Sequence, residues 1–499
     1  MADEKREIER KYESDDSGLP DLTGVGGVAN VLDKGLVELD ATYYDTADER
    51  LAAAGLTLRR RTGGSDAGWH LKLPVAPGVR DEIRSPLSDS VPDEIAALVR
   101  ARTRRAELIP LVRLRSARDV RHLVDADGAL LAEASVDTVT AERLTGKGKG
   151  AQWTEIEVEL ADDGDPAFLD KVDKRLRKAG LRPSKSPSKL ARALQQTGGR
   201  RHGSGRRAKP VTAGDHVLAY LREQRETILE YDPGVRRDLP DSVHQMRVAI
   251  RRTRSTLRTF GTVLDRAVTE PVAAELKWLA GELGADRDQE VLADRLSTAL
   301  DALPDSLVSG PVRKRLTTWS RSGHKKAHGH LVAILDSARY LAVLDSLDAL
   351  LADPPLRPKA AGKPEKVLAK AVHKDLAKVS RLVTEALDLP PGKERDLAIH
   401  EARKKAKRTR YAGEAAIGAL GGPARSLAKS MKSLTSLLGE HQDSVMARGA
   451  LRELSAVAHA AGESAFTYGL LYGREEARAA AVEAELPGLW REITSGASV

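Results

Sequence analysis

At 499 residues the chain is too long for one ordinary domain and implies two to four. Its 41% hydrophobic content can fill real cores, which excludes wholesale disorder. It has no cysteine, which excludes disulfides and thiolate metal sites, fits a reducing compartment and limits any metal to His, Asp and Glu ligands. The N-terminus is charged from residue 3 on without an apolar leader, and no stretch approaches the ~18 apolar residues of a membrane span. A cytoplasmic protein without a membrane partner is expected. The net charge of +8 is unevenly spread: residues 1–200 hold 33 Lys and Arg against 35 Asp and Glu, and residues 201–210 hold four bases and no acid. The basic excess of the linker and of the chain beyond it suits phosphate-rich partners.

The first informative stretch is Glu7-Ile8-Glu9-Arg10-Lys11. As a strand it places Glu7, Glu9 and Lys11 on one face and Ile8, Arg10 and Tyr12 on the other. Two carboxylates and an ammonium in a row suit a cavity that holds a divalent metal and a polyanion together. As a helix, Glu7 and Lys11 are an ordinary i,i+4 pair, so the stretch alone decides nothing. Period two recurs over Val37–Asp45, Leu56–Arg61, Gly68–Leu73, Val79–Ser85, Leu111–Arg115, Leu130–Asp137 and Trp153–Leu160, with turns at Gly63-Gly64, Pro77-Gly78 and Asp125–Gly128. Helices are expected near Pro92–Arg104 and Pro166–Ala179. So many antiparallel strands in about 195 residues imply a barrel or a strongly curved sheet.

The strands repeat one charge pattern. Arg59 and Arg61 share a face, as do His70 and Lys72; Arg80, Glu82 and Arg84; Arg113 and Arg115; Glu133 and Asp137; and Glu155, Glu157 and Glu159. Leu58, Leu114, Ile156 and Val158 fill opposite faces. Any one row reads equally well as a wet outer face. Repeated over six strands, the rows describe a charged lumen whose Arg and Lys neutralise phosphate oxygens and whose carboxylates hold Mg²⁺ or Mn²⁺.

The ordered set Glu7-Ile8-Glu9-Arg10-Lys11, Tyr43-Tyr44-Asp45-Thr46, Leu56–Arg61, Trp69–Pro74, Glu155–Glu159 and Ser186-Pro187-Ser188-Lys189 resembles the CYTH family, the triphosphate tunnel metalloenzymes. The resemblance implies an eight-stranded antiparallel tunnel that hydrolyses a triphosphate. Glu7 and Glu9, with one or two of Glu155, Glu157 and Glu159, would hold Mg²⁺ or Mn²⁺. Lys11, Arg59, Arg61, Lys72, Arg80, Arg113, Arg115, Lys185 and Lys189 would grip the phosphates. Catalysis would fall to Glu7, Glu9 and Lys11, through positioning and charge neutralisation. No His or Ser stands as a covalent nucleophile, and His70 is expected to line the tunnel or pack beside Trp69.

The chain divides at residues 196–211, a Gly/Ser/Arg-rich run with no hydrophobic period, read as a flexible basic linker. From residue 212 the period is 3.6 and an all-α domain is expected, broken by Pro354-Pro355, Pro358, Gly362 and Pro364 into arms over about 212–352 and 366–499. His244-Gln245-Met246-Arg247 and Arg251-Arg252-Thr253-Arg254 recur 156 residues later as His400-Glu401-Ala402-Arg403 and Lys407-Arg408-Thr409-Arg410. Leu283-Gly284, Asp288 and Lys277 recur 155 residues later as Leu438-Gly439, Asp443 and Lys432. Features repeating in register indicate an internal duplication.

His244, Arg247, Arg251, Arg254 and Arg258 share one helical face, as do His400, Arg403, Lys407 and Arg410. Such rows repel themselves unless an acidic partner or a polyanion lies against them; a solvated face with counterions is the plain alternative. The duplicated His-x-x-Arg pattern behind a CYTH-like domain resembles the CHAD (conserved histidine α-helical) domain, which implies binding of inorganic polyphosphate. The stripes, with Arg252, Arg408, Lys277 and Lys432, would contact the chain. His244 and His400 would then be phosphate contacts and not metal ligands, and Asp288 and Asp443 would buttress basic residues. His324 and His328 are spaced for a metal at i,i+4, a weaker reading. Nucleic acid fits less well, because aromatics are 3% of residues and the stripes offer no stacking platform.

The sequence thus predicts a metal-dependent hydrolase of inorganic triphosphate tethered to a binder of long-chain polyphosphate, located in the cytoplasm and at polyphosphate granules. A nucleoside or thiamine triphosphatase, an adenylate cyclase, a polyphosphate binder with an inert tunnel and an adaptor for an acidic protein are the alternatives.

Overall fold

The computed structural model describes residues 3–14, 18–146, 150–198 and 209–496, with backbone alone over 285–290 and 320–327. Most of the expected linker and the side chains of Asp288 and His324 therefore lie outside the described residues. The chain forms two compact units, Met1–Arg207 and Ala208–Val499.

In the first unit β1 (Asp3–Ser14), β2 (Asn30–Asp45), β3 (Thr57–Thr62), β4 (Gly68–Ala76), β5 (Val79–Ser85), β6 (Ile109–Val124), β7 (Leu130–Arg143) and β8 (Ala151–Leu160) pair in the order β5-β4-β3-β2-β6-β7-β8-β1. Every pairing is antiparallel, and β1 meets β5 again, so the sheet is a closed eight-stranded barrel. A two-residue strand, β9 (Arg182–Pro183), adds to β1. β1 is the seam: Asp3–Ile8 pair with β5, and Glu9–Ser14 pair with β8. The turn at Gly78 fits against this seam. Its φ of +75° and its approach to the Glu9 carbonyl, 2.9 Å from where a Cβ would stand, both require glycine.

The barrel turns its apolar faces outward. Helix α2 (Asp93–Thr103) covers Leu58, Trp69, Leu71 and Ile83 with Ile95, Leu98 and Val99. Helix α3 (Ala167–Lys178) covers Tyr12, Ala134, Ile156 and Val158 with Leu169, Val172 and Leu176. Helix α4 (Lys189–Gln196), preceded by its N-cap Ser188, is different: it packs Leu190, Ala193 and Leu194 among Leu114, Val139, Ala141 and Trp153, which have the strand parity of the inward-facing Arg118, Asp137 and Glu157, so it fills one end of the barrel interior. A short helix, α1 (Arg50–Ala53), follows β2. With α2 and α3 covering the outer face, the inner face beyond α4 is free to be polar.

Two expectations needed correction. The strand expected over Leu111–Arg115 runs on to Val124, because the polar Ser116–Asp119 step is ladder-paired to both β2 and β7. The Ser186–Lys189 landmark leads into α4, which the sequence reading did not register.

The second unit is helical: α5 (Ala213–Arg236), α6 (Ser242–Thr259), α7 (Arg266–Glu282), α8 (Ala285–Asp301), α9 (Val312–Asp336), α10 (Ala338–Ala352), α11 (Pro364–Asp388), α12 (Lys393–Leu420), α13 (Gly422–Ala460) and α14 (Phe466–Gly496). Thr212 and Asp215 cap α5 reciprocally. The sequence repeat maps α6 onto α12, and α7 plus α8 onto the single long α13. The first copy breaks at Leu283-Gly284, whereas the second runs through Leu438-Gly439 as unbroken helix. Among the described residues no helix is long and apolar enough to cross a membrane.

Because α3 seals the outer face of β1, β7 and β8, Leu169→Ala should cost about 2–5 kcal/mol. Chemical denaturation should show an earlier unfolding transition. An unchanged midpoint would mean that α3 does not carry this core.

Candidate functional site

Strand alternation decides which side chains enter the barrel. Glu7, Glu9 and Lys11 of β1, Arg59 and Arg61 of β3, Lys72 of β4, Arg80 and Arg84 of β5, Arg118 of β6, Glu157 and Glu159 of β8, and Lys189 of α4 line one cavity of about 570 Å³. Its walls carry ten Lys and Arg against seven carboxylates, so the lumen keeps a cationic surplus. The ladders also set acids opposite acids, Glu9 and Glu133 each facing Glu159 and Asp137 facing Glu155. Such pairs are unfavourable unless cations reach between them.

Those cations come from α4, from neighbouring strands and from the same strands. At one end Lys189 Nζ lies 3.1 Å from Asp137, 2.9 Å from Glu155 and 2.6 Å from Glu157. Arg118 forks onto Asp137 at 2.7 and 2.9 Å and reaches Glu157 at 2.7 Å. Lys11 sits between Glu157 and Glu9, 2.9 Å from the latter. Further along, Lys72 binds Glu7 at 2.5 Å and stands 3.6 Å from Glu82. Glu82 is fully buried and also receives Arg84 Nε at 2.5 Å and His70 Nδ1 at 2.9 Å. Lys5 holds Glu159 at 2.9 Å, and Arg61 pairs with Asp66.

Burial and charge act against each other here. Burial raises the Glu7 carboxyl above its ordinary range, with Lys72 opposing. Burial would raise Glu9 too, but Lys11, Lys72 and Arg80 hold it below. Glu157 is held well down despite its burial by Lys11, Lys189 and Arg118. Burial, with Arg59 and Arg118 nearby, pushes Arg61 down to about 9.

Three residues expected in the tunnel are elsewhere. Arg113 and Arg115 have the opposite parity to Arg118, Val120 and His122 of β6, so they face outward, Arg113 Nη2 binding Asp40 at 2.5 Å. Lys185 is exposed in the loop before α4. Glu155 points inward but does not line the cavity, its oxygens taken by Lys189 and, at 2.7 Å, Trp153 Nε1. His70 has the inward parity of Lys72 but is buried beneath the cavity lining, with both ring nitrogens on oxygens, Glu82 and the Asp66 carbonyl, and so braces Glu82. Arg118, Lys5 and the structural part of Asp137 were missed. Alternation from Arg113 and Arg115 steps past Arg118, because its parity is the opposite one.

In the helical unit α6 packs against α12, which brings the stripes together. Arg251 and Arg247 of α6 act on Lys407 of α12 along with its neighbour Arg403; burial, then these charges, push the Lys407 ammonium down to about 7 against the pull of Asp443. The repeated glycines have a shared reason. A Cβ at Gly439 would lie 3.1 Å from Arg403 Nη2, and one at Gly284 would lie 2.8 Å from Arg247 Nη2. Each arginine therefore lies on a helix surface stripped of its side chain. His244 is exposed, and His400 Nδ1 meets Gln442 Oε1 at 2.5 Å. Lys277 and Lys432 are exposed.

Other expected stripe members are committed to acids. Arg252 binds Glu414 at 2.9 Å, and Arg408 binds Asp375 at 3.0 Å, so both tie helices together. Arg410 also meets Glu414 at 2.9 Å, and Arg258 meets Glu270 at 3.3 Å. Arg254 stays on the face, its guanidinium lowered by burial and by Arg258 and Arg251. His328 Nε2 is 3.2 Å from the Val235 carbonyl.

Residues 5–194 match the CYTH domain family, and residues 219–452 match the CHAD domain family. Uncharacterized proteins of two Mycobacterium tuberculosis strains are 38% identical over 98% of this chain and 96% of their own. The chain belongs to the CYTH–CHAD proteins. CYTH proteins are metalloenzymes that act on triphosphates. Among solved structures, PptA from Streptomyces chartreusis is 24% identical with a TM-score of 0.47, covering 56% of this chain and 99% of that one. The CHAD domain of Ricinus communis is 23% identical with a TM-score of 0.45, covering 57% and 93%.

The Gly439 contact yields a test. Alanine there should raise helix stability by up to about 1 kcal/mol yet displace Arg403. A Gly439→Ala protein that melts no lower but binds a polyanion more weakly bears this out, and unchanged polyanion binding would refute it.

Proposed function

We propose that the CYTH tunnel hydrolyses inorganic triphosphate in a metal-dependent reaction and that the CHAD helices bind long-chain inorganic polyphosphate. The carrying observation for the tunnel is its cationic lumen, in which Lys11, Arg59, Lys72, Arg80, Arg118 and Lys189 surround buried carboxylates. Tyr43 is the one Phe, Trp or Tyr among the lining residues, and its hydroxyl lies 3.5 Å from Arg59. That leaves little surface to stack a nucleobase or a thiamine ring, which favours the inorganic substrate.

Glu7 and Glu9, with Glu157 or Glu159, are the residues to hold Mg²⁺ or Mn²⁺, since such ions take oxygen ligands. Each of these carboxylates faces a lysine or arginine, so cation and metal compete for it until phosphate draws the lysines away. Few protein ligands are needed, because water and substrate oxygens complete such shells. A bound metal would neutralise phosphate charge and supply an activated water. The protein's own part is to align the chain: Lys11 and Lys72 move from carboxylate to phosphate, Arg59 and Arg118 fork onto oxygens, and the closed wall excludes bulk water.

Purified protein should release phosphate from tripolyphosphate with Mg²⁺ or Mn²⁺, lose that activity with chelator, and act less on ATP and thiamine triphosphate. Metal-dependent release from none of the three would end the enzymatic reading. Glu7→Gln with Glu9→Gln should lower turnover at least ~10²-fold and leave polyphosphate binding intact.

For the helical unit, the support is the cluster of Arg247, Arg251, Arg403 and Lys407. A polyanion there would return Lys407 to its charged form. Since free Lys407 titrates near 7, binding above that pH must take up a proton. Affinity should fall as pH rises from about 7 to 9, by up to about tenfold per unit. Lys407→Arg, always charged, should flatten the profile, whereas Arg251→Glu with Lys407→Glu should abolish binding. Equal competition by single-stranded RNA would overturn the polyphosphate assignment.

A further inference from the structure

A second cluster of chemistry-bearing side chains lies about three turns from Lys407 toward the start of α12. Asp396 is in the first turn of α12, His441 in the middle of α13 and Glu483 in α14. We infer that these three residues form a binding site for a divalent transition metal, Mn²⁺ or Zn²⁺, that ties α12, α13 and α14 together.

The geometry is that of a site prepared from outside. His441 is 1% exposed, and its Nε2 lies 3.3 Å from Asp396 Oδ1 and 3.2 Å from Glu483 Oε1. All three ligand atoms fall within 4.8 Å of one another, a spread that one ion with bonds of about 2.0–2.2 Å spans after small rotations. The far oxygens are held separately. Arg448 Nη2 is 3.3 Å from Asp396 Oδ2, and Arg395 Nη1 is 3.2 Å from Glu483 Oε2. Each carboxylate thus has one oxygen anchored by a guanidinium and the other turned toward His441, the orienting role that outer partners play around metal ligands. A cavity of about 500 Å³ lined by Arg395, Asp396, Arg448 and Glu483 opens onto the cluster and gives an ion its way in.

The donor set selects the ion. One imidazole with two carboxylates suits Mn²⁺ or Zn²⁺ better than Mg²⁺ or Ca²⁺, which prefer all-oxygen shells. Among the described residues His441 Nδ1 has no hydrogen-bond partner, so none of them fixes the tautomer, and Nε2 can carry either a metal or a proton. The duplication does not explain the set, since Pro240 and Asp286 stand where the repeat would place Asp396 and His441. The competing arrangement is a protonated His441 pinned between two acids.

The test uses tag-free full-length protein carrying Glu7→Gln and Glu9→Gln, so that the tunnel carboxylates do not contribute. Calorimetric titration with Mn²⁺ and with Zn²⁺ should show one equivalent bound by at least one of them. Glu483→Gln or Asp396→Asn, with unchanged helical circular dichroism, should weaken that binding at least tenfold. Pulsed electron paramagnetic resonance of the Mn²⁺-loaded protein should show coupling to one imidazole nitrogen, a readout that needs no variant at this cluster. Absence of a bound equivalent, binding indifferent to both substitutions, or bound Mn²⁺ without a nitrogen coupling would each overturn the site and leave the protonated His441 in its place.

Discussion

The structure depends on opposite charges held together inside a closed sheet. Glu82 and Asp137 are fully buried, and each is met by two or more cations, Glu82 by Arg59, Lys72 and Arg84 and Asp137 by Arg118 and Lys189. A buried carboxylate without such partners would cost several kcal/mol. Buried pairs are nonetheless a poor way to stabilise a fold, since apolar residues of similar volume often do as well. Their persistence across the lumen is better explained by a ligand that needs both signs, a polyanion together with its metal.

Closure makes this possible. Because β1 completes the ring by pairing with β5 along one half and β8 along the other, the alternating row Glu7, Glu9, Lys11 runs across the seam and faces acids and bases from both sides. The hydrophobic effect is satisfied outside, where α2 and α3 lie on the apolar faces. The outer core and the surface that serves the substrate are therefore separate, except at the end where α4 packs inside the barrel and supplies Lys189 to the cavity. A ligand-facing charge can change without opening an apolar void.

The helical unit solves a like-charge problem differently. Arg252, Arg258, Arg408 and Arg410 are neutralised by acids on the same or neighbouring helices. Arg403, Arg251 and Arg247 all act on Lys407, a positive field strong enough with burial to bring its ammonium near neutrality. The duplicated glycines let two of those arginines lie close to helix backbone. The second arm carries in addition the Asp396, His441 and Glu483 cluster on α12, α13 and α14, and the first arm has Pro240 and Asp286 where the repeat would place Asp396 and His441.

Much of this was legible in the chain. Strand period fixes which residues share a face, so the rows of Glu7, Glu9 and Lys11, of Arg59 and Arg61 and of Glu157 and Glu159 followed from spacing alone, and the 156-residue repeat marked the two arms and their stripes. Which face of each strand looks inward is a different matter, because parity is relative until the sheet closes. Arg113 and Arg115 looked like lumen residues, and only the β6 register, carried three residues further to Arg118, shows that they point out. Pairing choices are likewise tertiary. Arg252 and Arg251 are neighbours in sequence, yet the first meets Glu414 across a helix contact and the second faces Lys407. Local periodicity determined the elements, the charge rows and the duplication. The closed ring and the helix packing decided which charges are spent on one another and which stay available for a ligand, since long-range proximity is set by the fold and not by spacing.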